Sequence, residues 1–76
     1  MDISMEHIRP CDRVRITCIS EFNPLKERLR EFGLVTDTQV FCPFLSPAGD
    51  LAALEFGGTV IAVRVKDLAG IRARRC

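Results

Sequence analysis

The sequence predicts a mainly β fold: a small, partly open β-barrel of about five strands, with one short α-helix between the first and second strands. Three observations predict it. Apolar and polar residues alternate over several short segments, and glycines and prolines punctuate those segments at tight-turn spacing. Only one segment, Leu25 to Phe32, carries a helical period. Closing a sheet on itself hides edges that would otherwise pair with other chains.

The elements follow in order. Arg9-Pro10-Cys11 reads as a turn, and Asp12 to Ile19 as a half-buried strand with Val14, Ile16 and Cys18 on one face and Arg13, Arg15 and Thr17 on the other. Ser20 to Asn23 connects it to the helix. Asn23 is the expected N-cap and Pro24 the expected first helical residue. Leu25, Leu29 and Phe32 form one apolar stripe, while Lys26, Glu27, Arg28, Arg30 and Glu31 take the other face. Gly33 supplies the left-handed stop. A helix of about two turns does not survive alone, so the stripe must dock on the sheet.

Thr38 to Leu45 is the next expected strand, with Val40, Cys42 and Phe44 on one face and Pro43 marking an edge or a bulge. Ser46-Pro47-Ala48-Gly49-Asp50 is a turn. Leu51 to Phe56 and Thr59 to Val65 form a hairpin across Gly57-Gly58, a pair suited to the positive φ of a primed turn. Ala52, Leu54, Phe56, Ile61, Val63 and Val65 are expected to point inward. Lys66 to Ala69 reads as a short turn or one turn of 3₁₀ helix, and Gly70 to Arg74 as a last strand carrying Ile71 and Ala73.

A chain of 76 residues suits one domain spanning 1–76. Trp and Tyr are absent, so the core must come from aliphatics with Phe22, Phe32, Phe41, Phe44 and Phe56. The net charge of +1 argues against nucleic acid, which favours a strongly basic domain. Base stacking needs exposed aromatics among Lys and Arg, and only Phe22 and Phe41 fall off the inward phase. Residues 64–76 hold five basic residues against Asp67, a net of +4. Such an end meets an acidic partner or an anionic surface, or is simply solvated. The N-terminus lacks a signal-peptide pattern and no apolar run approaches the roughly 20 residues of a membrane span, so a cytoplasmic protein without direct membrane insertion is expected.

Little in the chain reads as catalytic. His7 is the only histidine, and no nucleophile elbow, phosphate-binding loop or CxxC pair occurs. His7 and Cys11 have i, i+4 spacing, but Pro10 breaks any helix between them, and two ligands do not close a site. A dimer could supply the rest, so adventitious Fe²⁺ or Zn²⁺ is the most this pair offers; no cofactor is expected. Cys18 and Cys42 behave as small hydrophobes in strand patterns, and Cys76 is a terminal thiol able to form dimers on oxidation.

Taken together, the segments resemble the FeoA family, small proteins of bacterial ferrous-iron uptake. The family's helix signature, Arg-Leu-x-Glu-Leu-Gly-Leu in outline, matches Arg28-Leu29-Arg30-Glu31-Phe32-Gly33-Leu34, and its next turn and strand match Val35-Thr36-Asp37-Thr38-Gln39-Val40. Pro47-Ala48-Gly49-Asp50, Ile61-Ala62-Val63-Arg64 and Gly70-Ile71-Arg72-Ala73 match its later segments. Cys11 and Asp37 stand at common glycines, and Leu51 at a common proline. The resemblance implies an SH3-like barrel and a non-enzymatic accessory protein that binds and modulates FeoB. FeoB is the membrane iron transporter with a cytosolic G-protein domain, and binding it would hold the chain at the inner face of the membrane. The same fold occurs as the C-terminal domain of iron- and manganese-dependent repressors, so a stand-alone metal-sensing module is the alternative. Contact candidates are Lys26, Arg28 and Arg30 on the helix, with Leu51, Arg64 and Arg72 on the sheet. An ordinary solvated face accounts for the same charges, and the oligomeric state stays open.

Overall fold

The computed structural model describes residues 2–76. Its single antiparallel sheet has six strands rather than about five: β1 (Asp2–Ser4), β2 (Arg13–Ile19), β3 (Gln39–Phe41), β4 (Leu51–Phe56), β5 (Thr59–Arg64) and β6 (Ile71–Arg75). The one α-helix, α1 (Lys26–Glu31), sits between β2 and β3, and 3₁₀ turns occupy Met5–His7 and Val65–Leu68. The strand order is β1-β6-β2-β3-β4-β5. The sheet therefore curls into a partly open barrel with β1 and β5 at its two free edges. The extra strand is β1, which pairs Asp2 with Arg74 and Ser4 with Arg72. Three residues are too few to show a period.

The core is Met5, Ile8, Val14, Ile16, Leu29, Leu34, Val40, Cys42, Ala52, Leu54, Phe56, Val63, Leu68, Ile71 and Ala73. Of the five phenylalanines expected there, only Phe56 is buried; Phe22, Phe32 and Phe44 are exposed and Phe41 is half-buried. The guanidinium of Arg13 lies 4.5 Å from the Phe41 ring centre, a cation–π contact. β3 is shorter than expected. Regular pairing ends at Phe41, the chain runs irregularly through Pro43, which has no N–H to give a ladder, and only the bridge Leu45–Ala52 resumes it. That break turns Phe44 outward.

Cys18 is also exposed, against the expected alternation. The β2–β6 register shifts between Ile16 and Cys18, and the irregularity reverses which residues face inward, so Ile19 packs on the core instead. The 57–58 turn is as expected, with Gly57 at φ 55° and Gly58 at φ 79°. Asp37 adopts the left-handed conformation expected of a glycine substitute, at φ 75°.

Cys11 does the same at φ 72°, without the side-chain carbonyl that eases it for Asp. Left-handed backbone costs an ordinary residue about 1–2 kcal/mol, and glycine returns part of that as chain entropy. Cys11→Gly is therefore expected to stabilise the fold by about 0.5 kcal/mol, read as a higher urea midpoint with unchanged slope.

The same turn is tied to the last strand by Asp12. Its Oδ2 accepts the Arg9 N–H at 2.9 Å and the Arg75 guanidinium at 3.2 Å. Burial alone raises this carboxyl's pKa, but the Arg9 N–H and the Arg75 charge together outweigh it, and the group titrates below its ordinary value. A lowered folded pKa adds stability that is complete above the unfolded value of about 3.9 and is lost as pH falls through the folded one. Wild type should accordingly lose more of its urea midpoint between about pH 5 and 2 than Asp12→Asn does. Equal slopes for the two proteins would refute this assignment.

Candidate functional site

The surface features with most relief surround β5. Its hydrogen-bond parity can be read from its neighbour. The Ala53 N–H donates to the Phe44 carbonyl at 3.1 Å and the Ser46 N–H to the Leu51 carbonyl at 2.9 Å, so the odd-numbered residues of β4 bond toward β3. The even ones then bond toward β5, whose partners are Thr59, Ile61 and Val63. The Val65 N–H continues that parity by donating to the Asp50 carbonyl at 2.9 Å. Val60 and Ala62 thus direct their main-chain groups away from the sheet, where no described residue meets them.

A groove of about 700 Å³ runs between this edge and α1. Leu25, Arg28, Glu31 and Phe32 line its helix side, Ile61, Ala62 and Arg64 its strand side, and Asp67 follows from the next turn, so two cations and two carboxylates share the groove. The helix presents these residues because its stop is a complete Schellman motif: the Leu34 N–H donates to the Leu29 carbonyl at 2.9 Å and the Gly33 N–H to the Arg30 carbonyl at 3.0 Å, with Gly33 at φ 94°. Leu29 and Leu34 anchor the inner face. Phe32, at the rim of the expected stripe, is left 48% exposed.

The expected cap is different in detail. Pro24 and Leu25 form a turn, and the first α-helical bond runs from the Leu29 N–H to the Leu25 carbonyl. Asn23 Oδ1 accepts the Leu25 N–H at 2.8 Å, while its Nδ2 donates to the carbonyls of Asp67 at 2.9 Å and Ala69 at 2.8 Å. Asn23 is the one buried polar residue described, and it joins the start of the helix to the segment after β5.

On the outer face of the hairpin, Phe44, Leu51, Val60 and Ala62 line a second, mainly apolar depression. Phe44 is 60% exposed and Val60 58%. Leu51 and Arg64 are cross-strand partners at its end. The structure therefore brings Arg28 and Arg64 to one groove, and Leu51 beside Arg64. Neither arginine forms an ion pair among the described residues.

The other contact candidates lie apart. Lys26 and Arg30 border a smaller cleft with Ile19 and Val35, and each faces a carboxylate, Glu21 at 3.8 Å and Glu27 at 3.9 Å. Exposed pairs of this kind are worth little. Arg72 lies on β6 in a different hollow, with His7, Arg9 and Arg75. His7 ends its 3₁₀ turn exposed, and Cys11 donates its main-chain N–H to the Cys42 carbonyl at 2.6 Å. Among the described residues no three His, Cys, Asp or Glu side chains are grouped to hold a metal. Burial pushes the Cys42 thiol up, a core thiol kept protonated. No described helix is long and apolar enough to cross a membrane.

Phe32, Phe44, Val60 and Ala62 are the site residues that sequence reasoning missed. The signal that could have found the last two is Thr59-Val60-Ile61-Ala62-Val63, a run with no charge and no proline.

Fold and surface define a small SH3-like β-barrel domain with open grooves beside the free edge of β5. A model of the FeoA domain matches residues 3–75, and the chain belongs to the FeoA family, which is implicated in ferrous iron uptake and is a family of small accessory domains rather than a known enzyme family. A FeoA-like protein from Clostridium acetobutylicum superposes with a TM-score of 0.87 over 97% of this chain and 86% of its own, at 19% identity. An iron uptake regulatory protein (FeoA) covers both chains completely with a TM-score of 0.84 at 17% identity. These two show the fold. A Pseudomonas aeruginosa protein is 30% identical over 93% of this chain and 97% of its own, with a TM-score of 0.65. No curated protein matches the sequence.

Proposed function

We propose that this chain is an accessory module of ferrous iron uptake that binds the cytosolic part of a FeoB-type transporter and modulates it. The observation that carries the reading is the pair of grooves flanking β5, one of them lined by Arg28 and Arg64 together with Glu31 and Asp67. Exposed apolar relief with charges of both signs at its rim fits a protein surface.

The test is a calorimetric titration of the transporter's cytosolic domain, with GDP and with a GTP analogue. Arg28→Glu combined with Arg64→Glu is expected to weaken binding at least about tenfold, since the groove's mixed charge becomes four carboxylates with no arginine. If wild type does not associate in either nucleotide state, the reading fails. Iron is the transporter's cargo in this scheme, and among the described residues no three His, Cys, Asp or Glu side chains are grouped to hold it. Equilibrium dialysis with Fe²⁺ and Zn²⁺ should show no saturable site that His7→Ala and Cys11→Ser remove. Nucleic acid is likewise no partner, and filter binding should find no salt-sensitive affinity.

A further inference from the structure

We infer that β5 is a self-association edge: two copies of this chain pair their β5 strands antiparallel about a two-fold axis at Ala62, joining the two sheets into one. The inference goes beyond the reading of the chain as an accessory module and does not rest on it, because it concerns the chain alone.

The two free edges of the sheet differ. β1 has three residues and carries Asp2, paired with Arg74 at 3.6 Å. Short, charged edges resist pairing. β5 has six residues, Thr59 to Arg64, with no charge before Arg64 and no proline. Its outward main-chain groups belong to Val60, Ala62 and Arg64, alternate residues as an antiparallel neighbour requires. Val60, Phe44 and Leu51 leave an apolar surface exposed beside that edge.

The backbone fixes the register. An axis at Ala62 pairs Ala62 with its own copy and Val60 with Arg64, so all three outward residues find partners inside the strand. Moved one residue back, the axis sets Arg64 against Gly58, which is left-handed at φ 79° and cannot extend the ladder. Moved one residue forward, it sets Val60 against Lys66 in the 3₁₀ turn.

Charge complements the same register. Val60 and Arg64 share the outer face with their β4 partners Glu55 and Leu51. The dimer therefore lays Leu51, Arg64, then Val60 and Glu55 of the second copy in one row across four strands. Arg64 and that Glu55 stand roughly 10 Å apart at their backbones, within the joint reach of two long side chains lying over Val60. Neither forms an ion pair in its own copy among the described residues. The charges around them balance. Asp50 and Lys66 share the hollow at the end of β5 with Arg64, and Arg28 lines the α1 groove with Glu31 and Asp67. On the far side of Glu55, Arg13 is stacked over Phe41. A surface carrying both signs in this way selects no partner of one sign. It does suit its own copy, because a two-fold contact presents the same patch, cations and carboxylates alike, from both sides.

The experiment is sedimentation equilibrium of the whole chain in reductant, which excludes a Cys76 disulfide. Wild type is expected to show a monomer–dimer equilibrium. Val60→Lys changes an exposed side chain and sets an amine directly opposite Arg64 of the second copy. It should raise the dimer dissociation constant at least about tenfold. Ala62→Pro removes an N–H directed out of the sheet and should do the same; Val60→Lys keeps the test intact even if the proline variant loses its circular dichroism spectrum. Arg64→Glu and Glu55→Arg should each weaken the dimer about fivefold, and the two exchanges combined should return it to within about twofold of wild type.

Three results overturn the inference. A wild type that stays monomeric at about 1 mM leaves the edge to a foreign strand. A dimer unaffected by both Val60→Lys and Ala62→Pro has its interface elsewhere. A combined exchange no tighter than the single ones refutes the axis at Ala62. Transporter binding draws on the same surroundings and competes with the dimer, but the two readings fail separately: sedimentation of the chain alone decides the dimer, and titration with the transporter's cytosolic domain decides the partner.

Discussion

Leu29→Ala is expected to destabilise the domain by about 3 kcal/mol, and Phe32→Ala by less than about 1 kcal/mol. Both residues belong to the apolar stripe of α1, and composition alone would rank the phenylalanine higher. The structure reverses that order. Leu29 is 1% exposed and is the only buried residue within the helix, whereas Phe32 is 48% exposed at the groove. Removing Leu29 leaves a void beneath a helix of six residues that has no stability of its own. It also strips Leu34 of the apolar contact that normally accompanies the Schellman stop. For a domain of this size, 3 kcal/mol corresponds to a fall in Tm on the order of 15 °C. Thermal and urea unfolding followed by circular dichroism check it; equal losses for the two variants would show that Phe32 is a core residue after all. The converse holds for binding, where Phe32→Ala should weaken the partner more than it weakens the fold.

That reversal marks the limit of what the chain makes legible. Periodicity located α1, the 57–58 hairpin and the phases of β4 and β5, because each depends on residues near one another in sequence. The left-handed position at Gly33 was legible for the same reason, and that at Asp37 through the family resemblance, where it stands at a common glycine. What failed depended on distant parts of the chain. Cys18 lost its inward place to a shift against β6, and Phe44 to a break in pairing beside Pro43. β1 exists only because β6 offers it an edge. The groove behaves likewise. Arg28 and Arg64 were both singled out as charged residues, but their meeting across one groove required the helix to be docked. The free edge of β5 followed from strand order, which no local pattern specifies.

Asn23→Ala is expected to cost about 2–3 kcal/mol, more than loss of an ordinary cap, and to weaken partner binding as well. An N-cap substitution removes one acceptor. Here the side chain is 6% exposed and makes three bonds, two of them to carbonyls of the segment after β5. Truncation leaves the Asp67 and Ala69 carbonyls and the Leu25 N–H without the partner each has in this part-buried network, and losing all three bonds together is the costly outcome. Asn23→Asp separates this account from a simple capping role. Aspartate is as good a cap as asparagine and would be harmless there. At this position it replaces the donor with an oxygen facing two carbonyl oxygens, so the ionised form is disfavoured and the folded-state pKa rises above the unfolded value of about 3.9. A raised folded pKa means stability is greatest below the unfolded value and declines as pH rises through the folded one. Asn23→Asp should therefore be more stable at pH 3 than at pH 7 relative to Asn23→Ala, and a pH-independent difference would refute the assignment. The same bonds fix how far α1 stands from the end of β5, because Asn23 is the link between their flanking segments. Loosening it changes the width of the groove, so weakened partner binding by Asn23→Ala at a temperature where the variant remains folded is the functional half of the prediction.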